Sequence, residues 1–286
     1  MEIHKKIKAL SSGIVALLVV AIIVAFTVQK VQPKHTPSTH YAINKTWELP
    51  KVLNEISGIA WLKDGTIACV QDEDGIIFIY DLQQNKIVEE IEFAGSGDYE
   101  GITVHNDDAY VLRSDGTIYQ VLNFRTKNRK VQTFKTEFSE ENNMESLTLN
   151  PKTQSLIIAP KDRDMQDDFK GLYQILIDSK KMSASPSVKI NMNDGAFKNY
   201  KHKKVYKTFS PSDVAIHPKT GEYYVLEGKN PKLVILNADG TIKTVHELHK
   251  DTFAQPEGIT FSPDGTLYIS NEAGDDVANI LKVSFQ

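Results

Sequence analysis

Beyond residue 43 the hydrophobic and polar residues alternate in short runs that are separated by turns rich in Asp, Gly, Asn and Pro. Alternation with a period of two is typical of β-strands that bury one face. In one such unit the turn Lys63-Asp64-Gly65 joins an apolar run that ends at Trp61 to a second apolar run that begins at Thr66. No helical period competes in this part of the chain, so the pattern predicts an all-β domain.

One phrase recurs five times along this domain: an acidic residue, one or two small residues, and then an apolar strand. The five acids are Glu55, Glu100, Glu145, Asp213 and Glu257, with spacings of 45, 45, 68 and 44 residues between their numbers. Each acid is followed by a turn, a second and a third strand and, in most units, a fourth. Four antiparallel strands in roughly 44 residues are typical of one β-propeller blade. The repeat therefore predicts a five-bladed β-propeller.

The ends of the domain predict how the ring closes. The last unit reaches Gln286 after only three strands, whereas an unassigned strand, 43–49, opens the domain. We expect this first strand to complete the last blade within a propeller domain spanning 43–286, because closure removes exposed strand edges.

The 68-residue interval contains a surplus of about 23 residues near 191–209, which leaves a six-bladed propeller as an alternative. This surplus segment is rich in basic residues, which predicts either a solvated loop or a lid or contact for an anionic partner. Its basic residues are Lys198, Lys201, His202, Lys203, Lys204 and Lys207.

Residues 9–28 form an uncharged run of 20 positions. As a helix this run spans ~30 Å, the thickness of the hydrocarbon core of a membrane. A cleaved signal peptide has a shorter apolar region and a small-x-small cleavage site, and neither is seen here. We predict a retained transmembrane signal anchor, with a cleaved signal peptide and a buried core helix as the alternatives.

Charges around the predicted anchor indicate its orientation. Lys5, Lys6 and Lys8 lie in the segment 1–8, and basic flanks remain in the cytoplasm. Residues 29–42 then form a linker to the propeller. This predicts a single-pass protein of the cell membrane with its propeller on the extracytoplasmic, periplasmic side.

The charge balance argues against nucleic acid as a partner. After residue 34 the chain has 28 Lys and Arg against 36 Asp and Glu. A surface that binds nucleic acid carries an excess of basic residues. We therefore expect a protein partner or a small anionic ligand.

The five repeated acids are the first candidate site. In a propeller the first strand of each blade lines the central channel, so equivalent acids would form a ring at one mouth. Oxygen ligands favour calcium, with magnesium as another possibility. Alternatively, each acid accepts backbone N–H groups from a neighbouring blade and pins the blades together. The predicted acid ring consists of Glu55, Glu100, Glu145, Asp213 and Glu257.

The ends of the second strands are the second candidate site. Their polar residues differ from blade to blade, as a ligand pocket requires, and two of them are basic enough to hold an anion such as phosphate. The predicted ligand-binding residues are Asp72, Arg113, Lys161, Glu227, Asn271 and Glu272.

The repeated phrase, its Asp-Gly turns and the N-terminal anchor resemble the SdiA-regulated (YjiK-like) β-propeller family. The most specific segments are Leu53-Asn54-Glu55-Ile56-Ser57-Gly58-Ile59 and Gln255-Pro256-Glu257-Gly258-Ile259. The resemblance implies a membrane-associated or periplasmic bacterial propeller, related to calcium-linked and phytase- or esterase-like propellers, and it assigns no catalytic residue.

These observations predict a membrane-anchored binding module that holds a divalent cation, preferably calcium, at the acid ring. The alternative is a metal-dependent phosphoesterase or esterase-like hydrolase, in which the cation activates a water. That reaction would need a base beside the ion, with Glu145 or Glu257 as the first choices.

Overall fold

The computed structural model describes residues 41–285. In this range the strands form five antiparallel sheets, each of which is one blade. The prediction of an all-β five-bladed propeller is therefore confirmed, and no sixth sheet forms between residues 41 and 285.

Within each blade the strands follow one another from the channel outwards. Blade 1 comprises β2 (Ile56–Trp61), β3 (Thr66–Gln71), β4 (Ile76–Asp81) and β5 (Lys86–Glu92). Blade 2 comprises β6 (Tyr99–His105), β7 (Asp108–Arg113), β8 (Thr117–Leu122) and β9 (Lys130–Lys135). Blade 3 comprises β10 (Met144–Asn150), β11 (Ser155–Pro160), β12 (Phe169–Leu176) and the outer strands β13 (Lys181–Met182) and β14 (Val188–Asn191), which both pair with β12. Blade 4 comprises β15 (Asp213–Ile216), β16 (Tyr223–Glu227), β17 (Lys232–Leu236) and β18 (Ile242–Glu247). Blade 5 comprises β19 (Pro256–Phe261), β20 (Leu267–Asn271), β21 (Asn279–Phe285) and β1 (Tyr41–Glu48).

The ring closes through β1, which pairs antiparallel with β21 and supplies the outer strand of blade 5. This strand begins at Tyr41, two residues before the start expected from the sequence. It also ties blade 5 to blade 1, because Trp47 Nε1 donates a hydrogen bond to the Leu82 carbonyl over 2.7 Å. The first and last segments of the propeller thus hold each other in place.

Glycines in the repeated phrase let the inner strands approach one another closely. A Cβ atom on Gly101 would lie 2.7 Å from the Leu147 Cβ atom of the next blade. A Cβ atom on Gly58 would lie 2.8 Å from the Gly101 Cα atom. Real Cβ atoms essentially never show contacts this short, so at Gly58 and Gly101 the strands around the channel leave no room for a side chain.

The core is divided among the blade interfaces. Five clusters of buried apolar side chains lie between neighbouring blades in the described range. At the interface of blades 1 and 2, for example, Ile77 and Ile79 of β4 pack in the same cluster as Val111 of β7. Blade-to-blade burial of this kind holds the inner strands, and the residues at their ends, in fixed positions.

The surplus segment packs onto blades 3 and 4 through its aromatic residues. It contains two short 3-10 turns, Gly195–Phe197 and Val205–Lys207. Phe197 and Phe209 are fully buried and stack with their ring centroids 5.7 Å apart. The segment is therefore anchored in the core of blades 3 and 4 while its lysines remain exposed.

The segments predicted as a cytoplasmic N-terminus (1–8) and a membrane anchor (9–28) lie outside the described residues, as does nearly all of the linker (29–42). Between residues 41 and 285, helices with the length and apolarity needed to span a membrane are absent.

Candidate functional site

Three of the repeated acids sit in β-bulges where the inner strands begin. Strand β6 shifts register between Tyr99 and Gly101, so Glu100 has no residue opposite it on β7. Strands β10 and β19 shift in the same way at Glu145 and Glu257. A bulge re-aims one side chain out of the ladder, and here it gathers three carboxyls at one end of the propeller, which we call the channel mouth.

Blades 1 and 4 depart from this arrangement, which corrects the expected ring of five equivalent acids. In blade 1 the register shift spans Ser57, whereas Glu55 precedes β2 and is exposed. In blade 4, Asp213 lies five residues before Pro218 of the following turn. In blade 5, Glu257 lies six residues before the equivalent Pro263. Ser212 therefore occupies the acid position of blade 4. Asp213 takes the place that glycine has in three other blades.

Asp213 has the hydrogen bonds of a structural pin. Its Oδ2 atom accepts the Ile259 N–H of blade 5 over 2.9 Å, and its Oδ1 atom accepts the Leu147 N–H of blade 3 over 3.4 Å. The Val214 N–H donates to Oδ1 over 2.8 Å. Burial raises the pKa of this carboxyl, and the three backbone donors oppose that rise. For Asp213 the geometry matches the alternative that the acids pin neighbouring blades.

Glu145 is paired with Lys161, which extends from the end of β11. The Lys161 Nζ atom lies 2.7 Å from Glu145 Oε2 and 4.0 Å from Glu257 Oε1. The Asn143 amide donates a further hydrogen bond to Glu145 Oε1 over 2.8 Å. Behind the mouth, the buried ammonium of Lys170 donates to the backbone carbonyls of Lys161 and Asp162 and fixes the loop that carries Lys161.

Burial and mutual repulsion raise the pKa values of the mouth carboxyls. Burial raises the pKa of Glu100 to about 10, and the negative charges of Glu145 and Asp98 add to the effect. Burial likewise raises the pKa of Glu145 to about 8 although Lys161 opposes the rise. The pKa of Glu257 is raised for the same primary reason. The mouth therefore holds more acidic groups than Lys161 alone can neutralise.

Residues just beyond the second strands add to this cluster. Burial raises the pKa of Asp72 to about 6, and the negative charges of Glu55 and Asp98 add to the rise. Burial also raises the pKa of Glu272 to about 8, and Glu257 adds to the rise. Together with Lys161 they are the predicted ligand-binding residues that interact with the inner acids. The group that we call the mouth acids is Asp72, Glu100, Glu145, Glu257 and Glu272.

The other predicted ligand-binding residues face the third strand of their own blade. Each of them is the last residue of its second strand, whereas Asp72, Lys161 and Glu272 come directly after the end of theirs. Successive residues of a strand point to opposite faces, so the two groups of side chains point in different directions. Asn271 donates to the Asn279 Oδ1 atom over 2.9 Å. The Glu227 Oε2 atom accepts from the buried ammonium of Lys232 over 2.5 Å.

Arg113 follows the same rule in blade 2. Its Nη2 atom lies 2.6 Å from Asp115 Oδ2, and its Nη1 atom donates to the Tyr119 hydroxyl over 3.0 Å. The guanidinium is thus held within blade 2, away from the mouth acids.

Two buried oxygens near blades 1 and 5 lack a hydrogen-bond partner within the described residues: Asp72 Oδ1 and Asn271 Oδ1. The Asp72 N–H donates to the Glu55 carbonyl, and the Ala273 N–H donates to the Asn54 carbonyl. The second strands of the two blades therefore end on either side of the start of β2. Buried polar atoms are normally satisfied by protein, water or an ion.

Beside the mouth lies a cavity of about 570 Å³ between blades 3, 4 and 5 and the surplus segment. Lys161 and Glu257 line it from the mouth, and Glu227 and Lys229 line it from blade 4. The surplus segment contributes His202 and Lys207. In the sequence, the only signal for His202 and Lys207 was the basic run of the surplus segment. No signal in the sequence pointed to Lys229.

Within residues 41–285 there is no group of three or more His, Cys, Asp or Glu side chains arranged closely enough to hold a metal ion. At the mouth, the Lys161 ammonium takes up a position between Glu145 and Glu257.

Comparison with known proteins identifies the family. The model of the SdiA-regulated family matches residues 33–274, so the chain belongs to the SdiA-regulated family, as its repeated phrase predicted. No protein with a curated description matches the chain.

Solved structures similar to the chain share its fold. Glutaminyl cyclase from Myxococcus xanthus is 12% identical with a TM-score of 0.59, over 86% of this chain and 96% of that one. A streptogramin B lyase is 13% identical with a TM-score of 0.52, over 85% and 98% of the two chains. The PQQ-bound aldose sugar dehydrogenase from Streptomyces coelicolor is 12% identical with a TM-score of 0.50, over 85% and 98%. At these identities the likeness extends to the propeller fold alone.

Proposed function

We propose that this propeller is a binding module that takes a divalent cation, calcium by preference, at the mouth acids and uses the adjacent cavity for a ligand. The observation that carries the proposal is that Lys161 Nζ lies within 4.0 Å of carboxylates from two blades, while burial and neighbouring acids raise the pKa values of further carboxyls at the same mouth. The charged forms of these buried carboxyls repel one another in a medium of low dielectric constant. Their charge must be offset by protons or by a cation.

The chemistry of the mouth acids suits calcium. Calcium takes carboxylate and carbonyl oxygens in flexible geometry, whereas magnesium demands a near-ideal octahedron. The candidate oxygens come from different blades, and Asp72 Oδ1 has no hydrogen-bond partner among the described residues. Such a set favours the ion with the less demanding geometry.

Cation binding at Glu145 and Glu257 requires Lys161 to leave. Its side chain is 23% exposed, while those of Glu145 and Glu257 are 4% and 7% exposed. A lysine with one end open to solvent can swing outwards on its flexible stem, whereas the two acids are fixed in their bulges. Calcium would therefore replace the Lys161 ammonium, which acts as an internal cation between Glu145 and Glu257.

Calorimetric titration of calcium into the metal-free full chain tests this proposal. We expect saturable binding that is lost when Glu100 and Glu257 are both changed to Gln. The matched control is Glu90→Gln, which removes an exposed acid from an outer strand. Absence of binding to the wild type, or equal binding to the double variant, would overturn the proposal.

We also propose that residues 9–28 anchor the propeller at the outer face of the membrane. The support is the 20-residue uncharged run with Lys5, Lys6 and Lys8 before it. After cell lysis and washing at alkaline pH, the full chain should sediment with membranes, and a chain lacking residues 1–28 should not. Recovery of the full chain in the supernatant would contradict the anchor.

A further inference from the structure

The surplus segment forms a fixed wall of the mouth cavity. Two of its tyrosines cover buried lysines of the blades: the Tyr200 ring lies 5.1 Å from Lys232 Nζ, and the Tyr206 ring lies 6.0 Å from Lys170 Nζ. Both lysines are almost completely buried, and a cation over an aromatic face is stabilised most when water is excluded. With its two phenylalanines in the core, the segment is held at both ends, and what it presents to the cavity is held with it.

Basic groups of the segment and of blade 4 line the cavity, and one of them, Lys207, has its Nζ atom 5.9 Å from the centroid of the Tyr206 ring. Lys207 from the segment and Lys229 from blade 4 both line the cavity and are exposed. Among residues 41–285 neither of them forms an ion pair. His202 Nδ1 accepts the Lys204 N–H over 3.1 Å. In the neutral ring this leaves the Nε2–H as a donor.

The acids that line the same cavity are largely engaged elsewhere. Glu227 is paired with Lys232 at 2.5 Å, and Glu257 lies 4.0 Å from Lys161. Asp162 is the remaining carboxylate of the lining. The cavity lining therefore includes two ammonium groups and one carboxylate that have no ion-pair partner within the described range.

We propose that Lys207 and Lys229 bind the oxyanion, a phosphate or a carboxylate, of a small polar ligand whose body extends towards Lys161 and Glu257. A volume of about 570 Å³ lies in the range typical of small-molecule sites. Ammonium groups bind oxyanions through short, charge-assisted hydrogen bonds. The site rests on the proposed function only for its place beside the mouth, since it needs no divalent cation.

The test is the ³¹P line width of inorganic phosphate mixed with the full chain, at constant ionic strength and after divalent cations have been removed on a chelating resin. Exchange between free and bound phosphate should broaden the line, and acetate should narrow it again if the site also accepts a carboxylate. The double variant K207Q/K229Q should lose the broadening, with affinity at least about tenfold weaker. The control K198Q/K203Q removes two charges from the same segment at residues that do not line the cavity.

Phosphate broadening lost in K207Q/K229Q and retained in K198Q/K203Q supports the site, whether or not acetate competes. Absence of broadening by the wild type, survival of the broadening in K207Q/K229Q, or equal loss in both variants would overturn it. Because divalent cations are removed before the measurement, failure here leaves the calcium titration unaffected. Failure of the calcium titration likewise leaves the phosphate result standing.

Discussion

Lys161 Nζ lies 2.7 Å from Glu145 Oε2 of its own blade and 4.0 Å from Glu257 Oε1 of blade 5. One ammonium thus bridges carboxylates from two blades across the mouth. Lys170 holds the backbone of Lys161 from behind through the carbonyls of Lys161 and Asp162. The charge balance of the mouth therefore depends on a single movable side chain.

Removing this internal cation should strengthen calcium binding. In Lys161→Gln, Glu145 and Glu257 lose their ammonium partner, and calcium no longer competes with it. We expect calcium affinity to rise about tenfold, or ~1.4 kcal/mol, in calorimetric titration. Lys152→Gln is the control, because it removes an exposed lysine from the turn at the other end of β10. Unchanged affinity in Lys161→Gln would show that calcium does not replace Lys161.

Asp213 should stabilise the fold by linking blade 4 to blades 3 and 5 through hydrogen bonds. In Asp213→Asn the amide group must face backbone N–H donors that the carboxylate now accepts, so at least one buried donor loses its partner. We expect a loss of about 2–3 kcal/mol in the free energy of unfolding by urea and an unchanged calcium stoichiometry. Asp251→Asn, at an exposed loop position, should change neither. A loss of calcium binding without a loss of stability would assign Asp213 to a metal site instead.

The close approach of the inner strands predicts strict limits on substitution. In Gly101→Ala the new Cβ atom would lie 2.7 Å from Leu147 Cβ and 3.0 Å from the Glu145 carbonyl oxygen. We expect this variant to lose about 1–3 kcal/mol of stability in urea unfolding. In Gly95→Ala nothing lies within 4 Å of the new atom, so it should be neutral. Equal stability of both variants would mean that blades 2 and 3 can move apart freely.

The raised pKa values predict that the metal-free protein loses stability as the pH rises. Glu272 titrates with a pKa of about 8 in the folded state, above its ordinary value of 4.5. Its stabilising contribution is complete below about pH 4.5 and is lost as the pH rises towards 8. The melting temperature should fall from pH 5 to pH 7.5, and less steeply in Glu272→Gln.

One group opposes this trend within the pH window, and a second titrates above the window. Burial lowers the pKa of His217 from its ordinary value of 6.5, and a lowered histidine pKa adds stability as the pH rises. Burial lowers the pKa of Lys170 to about 8, and a lowered lysine pKa stabilises the folded state only as the pH rises past that value. Melting curves of the wild type, Glu272→Gln and the control Glu90→Gln provide the comparison. A slope in Glu272→Gln equal to that of the wild type would contradict a pKa of Glu272 that is raised by burial and by the charge of Glu257.

The blade count could be predicted because each blade has an acid in or beside the same short phrase of small residues, followed by an apolar strand and a turn. A search for acids alone could not predict which acids are equivalent. A bulge inserts one residue into a strand and so changes which side chain faces the mouth. Aligning Gly58 with Gly101 and Gly258 would have put Ser57 at the acid position, and counting back from Pro218 would have done the same for Ser212.

The structure of the surplus segment could also be predicted only in part. Its lysines indicated a solvated loop or a lid, and the signal for a packed segment was the pair Phe197 and Phe209, which flank the basic run. Which lysines would line a cavity depends on contacts between blades 3, 4 and 5, which are far apart in sequence. Tertiary packing alone brings Lys207 and Lys229 to the same cavity.

The most direct test of the account is a crystal structure of the protein grown with calcium, with the ion located by its anomalous scattering. We predict a calcium peak at the mouth, ~2.3–2.6 Å from carboxylate oxygens of Glu145 or Glu257, with Lys161 turned towards solvent. Density that leaves Lys161 on Glu145, with no ion at any mouth acid, would contradict the central claim.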